Sequence, residues 1–112
     1  MTVHSLETLT FDNSYARLPE VFYAKVSPTP FSAAPFLISA NRAAMELLDL
    51  DPAEAARPEF AGVFGGSLLI PGMEPLAMLY SGHQFGVYVP QLGDGRAILL
   101  GEVTNGRGER WD

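Results

Sequence analysis

A short segment in the second half of the chain combines glycines with an arginine: Gly93, Asp94, Gly95 and Arg96. Because glycine has no Cβ, the backbone N–H groups of such a segment can approach a phosphate closely. An arginine beside it can hold the phosphate with a planar, bidentate fork. The same residues also suit an ordinary β-turn with a solvated arginine at a strand end. Both interpretations stay open on these residues alone.

The known phosphate-binding patterns are met only in part. The segment has two of the three glycines of G-x-G-x-x-G, and a strand instead of a helix is predicted after it, so the dinucleotide fingerprint fails; the Walker pattern is absent. Kinase-like and P-loop sites also place a lysine on the phosphates. The chain has a single lysine, Lys25. Either Lys25 serves such a site or the lysine lies outside this chain.

Other chemistries find less support in the sequence. His83 is the one histidine in an organised region, and a metal site there would need two more ligands where only Glu74 is close. A structural histidine that bonds to backbone is the alternative. Ser67 lacks the Gly-x-Ser-x-Gly pattern of a serine hydrolase. The absence of cysteine excludes disulfides, thiolate metal sites and cysteine nucleophiles.

The composition bounds the class of protein. The chain has 112 residues, of which 47% are hydrophobic, which suits one small domain or part of a larger one. A net charge of −6 argues against a nucleic-acid surface. No apolar stretch is long enough to span a membrane, and the N-terminus does not resemble a signal peptide. We therefore predict a cytoplasmic protein with no nucleic-acid or membrane partner.

Strands are predicted first near the N-terminus. Residues 21–26 are aromatic and β-branched, which favours a short strand that ends at the proline-rich residues 27–30. Residues 35–38 favour a second strand. The aromatic residues of this region are predicted to lie in the core: Phe22, Tyr23, Phe31 and Phe36.

Three helices are predicted. Asn41 can cap the first of them, and its apolar face would be formed by Ala44, Leu47 and Leu48. Asp51, followed by Pro52, has the pattern of a second helix start. Residues 75–81 predict a third helix, which Gly82 would end.

The remainder of the second half is predicted to be a sheet. Residues 85–92 form a strand, residues 93–95 a tight turn, and residues 96–103 a buried strand that contains the apolar run 97–100. Asn105-Gly106 then predicts a type I′ hairpin turn, and residues 109–112 begin a further strand. Because that strand stops after a few residues, the chain is expected to be truncated.

These elements predict an α+β fold with an antiparallel sheet, a glycine-rich hairpin and a few short helices. All eleven glycines fall between Gly62 and Gly108. That shift suggests an N-terminal extension over residues 1–61 and a second part over residues 62–112. Strand, glycine loop, strand, hairpin turn and strand is also the order in which a protein kinase opens its nucleotide lobe.

Longer runs of residues resemble the selenoprotein O family of protein adenylyltransferases. The resemblance lies in residues 71–78 (PGMEPLAM) and 80–97 (YSGHQFGVYVPQLGDGRA), and also in residues 11–20 (FDNSYARLPE) and 108–112 (GERWD). It spans essentially the whole chain. The resemblance implies the N-terminal part of a pseudokinase-like, protein-kinase-like fold. Residues 1–61 would be a family-specific extension with short strands and helices, and residues 62–112 would be the start of the nucleotide-binding lobe, truncated at its third strand.

The resemblance also implies an activity. Such enzymes transfer AMP from ATP, with Mg²⁺, to Ser, Thr or Tyr hydroxyls of proteins, and Gly93, Gly95 and Arg96 match the family's glycine-rich nucleotide-binding segment. The family's nucleotide lysine, base and Mg²⁺ ligands would lie beyond Asp112, so no catalytic or metal residue is assigned and the chain alone is expected to be inactive. The alternative is a non-catalytic nucleotide-binding or interaction module.

Overall fold

The computed structural model describes residues 3–92 and 97–112. Over these residues the chain is α+β with antiparallel strand pairs, as predicted. Its helices are α1 (Arg42–Leu47) and α2 (Pro58–Phe64), with 3₁₀ turns at Leu6–Thr8, Tyr15–Arg17, Glu20–Phe22 and Pro52–Ala56. Its strands are β1 (Tyr23–Lys25), β2 (Leu76–Met78), β3 (Tyr80–Gln84), β4 (Val87–Leu92), β5 (Val103–Thr104) and β6 (Arg110–Trp111).

Helix α1 begins as the sequence predicts, because Asn41 Oδ1 accepts a hydrogen bond of 3.0 Å from the backbone N–H of Ala44. The predicted apolar face is confirmed only in part, because Leu48 packs against the core cluster but Met45, which was not predicted, is its buried member. Met45 is the buried residue of this six-residue helix, whereas Ala44 is exposed and Leu47 and Leu48 are half-buried. A helix of six residues can bury few side chains. In α1 the buried residue is Met45, so the face that contains Met45 is the one that packs against the core.

The second predicted helix start, at Asp51, is confirmed. Asp51 Oδ1 accepts from the backbone N–H of Ala53 at 3.0 Å, and the turn that follows is a 3₁₀ helix of five residues. Helix α2 then begins separately at Pro58, where proline at the first helical position costs no hydrogen bond. The sequence analysis did not predict α2.

The strand predicted at residues 35–38 is wrong, and so is most of the predicted aromatic core. Residues 35–38 have no strand partner and instead line an open apolar groove against α1 and α2. Only Tyr23 of the four aromatic residues is buried; the others are 47–80% exposed, namely Phe22, Phe31 and Phe36. Their types favoured burial, but no second layer covers them in the described part of the chain.

The helix predicted at residues 75–81 is also wrong, since β2 and the start of β3 occupy these residues. Strand β2 pairs antiparallel with β1, where Leu76 lies opposite Lys25. On its other side Leu76 forms an isolated antiparallel bridge with Leu99. Pairing on both sides buries Leu76 and Ala77, and this tertiary contact outweighs the local preference for helix.

Strands β3 and β4 form an antiparallel hairpin. The predicted strand over residues 85–92 starts two residues later, at Val87, because Phe85 and Gly86 form the turn. Both have positive φ, at 52° and 77°, which is the requirement of a two-residue type I′ loop. Phe85 is therefore a bulky residue in the left-handed region, where glycine or asparagine is favoured.

The predicted hairpin at Asn105-Gly106 is present between β5 and β6, but its turn is different. The loop has three residues, 106–108, because Asn105 and Glu109 are joined by a backbone hydrogen bond of 3.0 Å. Gly108, with φ of 78°, takes the left-handed position. Asn105 Oδ1 accepts from the backbone N–H groups of Arg107 and Glu109, which selects this longer turn.

The strands predicted on either side of that turn are shorter than expected. Of residues 96–103, Leu99 forms an isolated bridge and Val103 begins β5. Of residues 109–112, Arg110 and Trp111 form β6. The predicted turn at 93–95 lies outside the described residues.

The main hydrophobic core draws on both halves of the chain. It contains Leu6, Met45, Leu50, Phe60, Val63 and Ile70. The division at residue 61 stays a prediction, and contacts cross it because Ile70 packs with the first half and β1 pairs with β2. Neither described helix has the length and apolar character needed to cross a membrane.

Candidate functional site

The glycine-rich segment at Gly93, Gly95 and Arg96 lies outside the described residues, so its role stays a prediction. The residues on either side of it are described. Strand β4 ends at Leu92, and two residues after Ala97 the backbone of Leu99 exchanges hydrogen bonds with Leu76, at 2.8 and 3.0 Å. The segment is thus bounded by two stretches of chain with paired backbone.

Downstream of the segment, Glu102 attaches the chain to the N-terminal region. Glu102 is buried, and its carboxylate accepts hydrogen bonds from Ser14 Oγ at 2.6 Å and from the backbone N–H of Tyr15 at 2.7 Å. Burial raises the pKa of Glu102, but these two hydrogen bonds and the charge of Arg110 lower it by more, so the net pKa is below its ordinary value. The carboxylate is therefore held in its ionised form.

Asp12 connects the N-terminal region to strand β6, through an ion pair with Arg110. Its carboxylate pairs with Arg110 Nη2 and with Arg17 Nη1, each at 2.6 Å. The hydrogen bonds from Arg110 and Arg17 hold the pKa of Asp12 below its usual range. Arg110 also lies 3.6 Å from Glu102, so one guanidinium serves both carboxylates.

Asn13 completes this polar cluster, which we call the 12–15 clamp (Asp12, Asn13, Ser14, Tyr15). Asn13 is buried, and its Oδ1 accepts from the backbone N–H of Glu102 at 2.8 Å. Its Nδ2 donates to the carbonyl of Gly72 at 2.6 Å and to Glu74 Oε2 at 3.0 Å. One side chain thus fixes the segment before β2 and the segment before β5 together.

Lys25, the lysine considered for a phosphate site, lies at the end of β1. It lines a cavity of about 320 Å³ together with Ala16, Tyr23, Val26, Ser27, Glu74, Pro75 and Leu76. Its register partner is Leu76, which also bridges to Leu99. The pairing is antiparallel, so the chain from Leu99 back towards Ala97 runs along β2 in the direction of Met78, away from Lys25.

The other cations of the described residues are all engaged. Arg17, Arg42, Arg57, Arg107 and Arg110 each pair with a carboxylate. The side chain of Lys25 has no ion pair or hydrogen bond with any described residue. Lys25 is therefore the one described lysine or arginine that forms no ion pair with a carboxylate.

From the sequence, His83 is either a metal ligand or a structural histidine. The side chain of His83 falls outside what the structure describes, and Glu74 is bonded to Asn13. Among the residues that are described, no group of three or more His, Cys, Asp or Glu side chains could hold a metal ion.

Sequence reasoning missed the 12–15 clamp and its partners Glu102 and Arg110. The available signal was weak: Glu102 lies two residues after the apolar run 97–100, which suggests a charge near a buried strand. Its partners could not be read from the sequence, since Ser14 and Glu102 are 88 residues apart. Sequence patterns for helices, turns and glycine loops depend on neighbouring residues, whereas this cluster joins residues far apart in the chain.

Comparisons with known proteins agree with one another. The family model described as protein adenylyltransferase SelO matches residues 5–112. The chain is similar to Protein nucleotidyltransferase YdiU of Myxococcus xanthus, with 62% identity over 108 residues that cover 96% of this chain and 22% of that protein. The protein of the same name from Thiobacillus denitrificans is 58% identical, also over 108 residues and with the same coverage.

A third relative extends the match slightly. Protein nucleotidyltransferase YdiU of Thioalkalivibrio sulfidiphilus is 54% identical over 110 residues, which cover 98% of this chain and 22% of that protein. The chain thus spans about a fifth of the length of the curated relatives it matches.

Proposed function

Because this chain belongs to the protein adenylyltransferase SelO family, we propose that it supplies part of the ATP site of an enzyme that transfers AMP to Ser, Thr or Tyr hydroxyls of other proteins. The observation that carries the proposal is the family match over residues 5–112. The names of the relatives, protein nucleotidyltransferases, support the reaction class. Because the chain corresponds to about a fifth of those relatives, the activity proposed is that of the whole protein.

The chemistry of such a transfer defines what this part of the chain must do. A hydroxyl oxygen of the target protein attacks the α-phosphorus of ATP, the bond from that phosphorus to the bridging oxygen breaks, and pyrophosphate leaves with the electron pair. The hydroxyl proton passes to a base. We propose that the backbone of Gly93 and Gly95 and the guanidinium of Arg96 bind and orient the phosphates for this step.

The described neighbours of the glycine segment fit this role. Strand β4 leads into it and the stretch with the Leu99 bridge leads away, in the order of a kinase-like nucleotide lobe. The 12–15 clamp holds Glu102 and Arg110, so the strands that follow the segment have a fixed position. Fixed strands beside the segment would favour preorganisation of the phosphate-binding groups, which lowers the reorganisation needed to reach the transition state.

Mg²⁺ would neutralise the charge on the leaving pyrophosphate. The described residues offer no cluster of ligands for it. We therefore assign no Mg²⁺ ligand to this chain and propose that the ligands, like the base and the nucleotide lysine, belong to the remainder of the longer protein. A cytoplasmic location also stays part of the proposal.

The test is transfer of label from α-labelled ATP to protein, in the longer protein that carries this segment. Arg96→Ala is expected to lower the rate by about tenfold to a hundredfold, the effect of losing a charge-assisted hydrogen bond. Arg42→Ala is the matched control, because Arg42 is an exposed arginine on α1 whose partner is Glu46.

The outcomes separate the candidate functions. Label on protein in the wild type and in Arg42→Ala, with loss in Arg96→Ala, supports the proposal. Equal labelling in Arg96→Ala would remove the role given to Arg96. No labelling in any form, with ATP still bound, would favour the nucleotide-binding or interaction module.

A further inference from the structure

The cavity at Lys25 has the features of a small-molecule binding site. Its floor is apolar, since Tyr23 is 7% exposed and Leu76 is 1% exposed. Its rim carries an exposed lysine and the hydroxyl of exposed Ser27. A concave surface that combines apolar area with a few polar groups is typical of small-molecule sites.

The charge at this cavity is unusual for the chain. The net charge is −6, and each of the described arginines pairs with a carboxylate, yet the ammonium group of Lys25 has no such partner. The nearest acidic residue in the lining, Glu74, uses Oε2 to accept from Asn13. An ammonium group without a carboxylate partner is free to bind an incoming anion.

We propose that this cavity binds the phosphate or carboxylate group of a small ligand. Lys25 Nζ and Ser27 Oγ would donate to the oxyanion, and the apolar part of the ligand would lie on Tyr23, Val26 and Leu76. The volume of about 320 Å³ lies at the lower end of the range for ligand pockets, about 300–1,000 Å³, which limits the ligand to a small one.

The proposal does not depend on AMP transfer. Lys25 lies opposite Leu76, and the chain from Leu99 towards residue 97 runs the other way along β2. The site is therefore not an extension of the described flank of the glycine-rich segment. It can be tested on this chain by binding alone, whether or not the adenylyltransferase activity is found.

The single lysine allows a specific measurement. Reductive methylation with ¹³C-formaldehyde labels Lys25 and the N-terminal amine, so the NMR signal of dimethylated Lys25 reports on the cavity while the charge is retained. Inorganic phosphate, acetate and ATP are titrated at constant ionic strength. We expect a saturating shift of the Lys25 signal with at least one of them and a linear, small shift with chloride.

Calorimetry measures the affinity for the same anions in the unmethylated wild type and in three variants. Lys25→Ala is expected to weaken binding about tenfold or more, since it removes a charge-assisted hydrogen bond. Ser27→Ala should weaken it by a smaller factor. Arg42→Ala, which makes the same change in net charge at an exposed site, should leave binding unchanged.

The anions identify the source of the bound group. Tighter binding of ATP than of inorganic phosphate would identify a nucleotide phosphate, and tighter binding of acetate would identify a carboxylate; either result supports the site. A Lys25 signal that responds to every anion as it does to chloride would overturn the proposal. Equal affinities in Lys25→Ala and the wild type would overturn it as well.

Discussion

The buried carboxylate of Glu102 accepts a hydrogen bond of 2.6 Å from the hydroxyl of Ser14, which lies 88 residues earlier in the chain. The second carboxylate oxygen accepts from the backbone N–H of Tyr15 at 2.7 Å. No other described glutamate is so buried, so its hydrogen bonds replace those that water would otherwise supply. The interaction joins the N-terminal region to the chain that follows the glycine-rich segment.

Replacement of this carboxylate should be costly. Glu102→Gln keeps the shape but loses the charge and places an amide donor where an acceptor is required, so the N–H of Tyr15 or the hydroxyl of Ser14 loses its partner. We expect the free energy of unfolding to fall by about 1–3 kcal/mol. Urea denaturation measures the change.

The control for this prediction is Glu46→Gln. Glu46 pairs with Arg42 on the exposed surface of α1, where such a pair contributes about 0.3–0.5 kcal/mol. Similar losses in the two variants would show that Glu102 is no more important than a surface carboxylate.

Acid should destabilise the fold through the same cluster. The pKa values of Asp12 and Glu102 are lowered from their ordinary values of 3.8 and 4.5, so the folded protein binds fewer protons than the unfolded chain in this range. Their contribution is complete above the ordinary values and is lost as the pH falls through the lower, folded-state values. Unfolding free energies measured from about pH 7 down to about pH 3 should show this loss.

The double variant Asp12→Asn, Glu102→Gln tests which groups are responsible. Its stability should depend less on pH over the same interval than that of the wild type. An identical pH dependence in both proteins would assign the acid sensitivity to other carboxylates.

Three replacements of Asp49 should differ in stability in a defined order. It has a φ of 58° at the end of α1, and its Oδ2 accepts from the backbone N–H of Gly106 at 2.7 Å. Asp49→Asn can keep the acceptor and tolerates this φ, so it should be closest to the wild type. Asp49→Ala loses the bond and keeps the strain, at a cost of about 1–3 kcal/mol. Asp49→Gly loses the bond but relieves about 1 kcal/mol of strain.

Thermal unfolding of the three variants measures this order. If Asp49→Gly were as stable as the wild type, the hydrogen bond to Gly106 would contribute nothing beyond the strain that the aspartate introduces. If Asp49→Asn were the least stable, the charge of Asp49 would be the important feature.

Alanine variants at two glycines with positive φ distinguish the cost of backbone strain from the cost of a steric clash. At Gly72, with φ of 95°, an added Cβ would lie 2.7 Å from Phe11 Cδ2, whereas at Gly86, with φ of 77°, it would meet nothing within 4 Å. Both alanine variants pay about 1–2 kcal/mol for the left-handed conformation. Gly72→Ala should lose a further 1–3 kcal/mol, roughly, because the core is overpacked. Equal losses in urea denaturation would contradict the packing at Phe11.

Phe85 offers a stabilising change. It has a φ of 52° in the β3–β4 turn and is fully exposed, so its ring contributes no burial to offset the strain. Phe85→Asn gives the Asn-Gly sequence that type I′ turns prefer and should stabilise the protein by about 0.5–1 kcal/mol. Phe36→Asn, at a site 80% exposed without positive φ, should change stability by less than about 0.5 kcal/mol.

The sequence predicted the features that depend on neighbouring residues. The cap at Asn41, the cap at Asp51 and the hairpin near Asn105 each arise from hydrogen bonds within a few residues of one another. The helix predicted at residues 75–81 failed because Leu76 has strand partners near residues 25 and 99, and no local pattern reports them.

The candidate site, like the fold, has features that the sequence predicted and features that only the structure revealed. Local composition drew attention to the glycine-rich segment and to Lys25. Asn13 and Glu102, which hold the chain beyond the glycine-rich segment in place, became evident only in three dimensions. Each accepts a hydrogen bond from a backbone N–H group about 90 residues distant in the sequence. Polar side chains of this kind carry no periodic signal that a single sequence could reveal.

The separation of the 12–15 clamp from its partners also affects synthesis on the ribosome. Tyr15 is made 87 residues before Glu102, which at about 5–20 residues per second is a delay of roughly 4–17 s. β1 lacks its partner β2 until Met78 has been made, and the clamp lacks Glu102 for the whole delay, so the nascent N-terminal region cannot complete its fold. We expect this region to depend on chaperones, and to be most vulnerable to proteases, until Arg110 has left the ribosome.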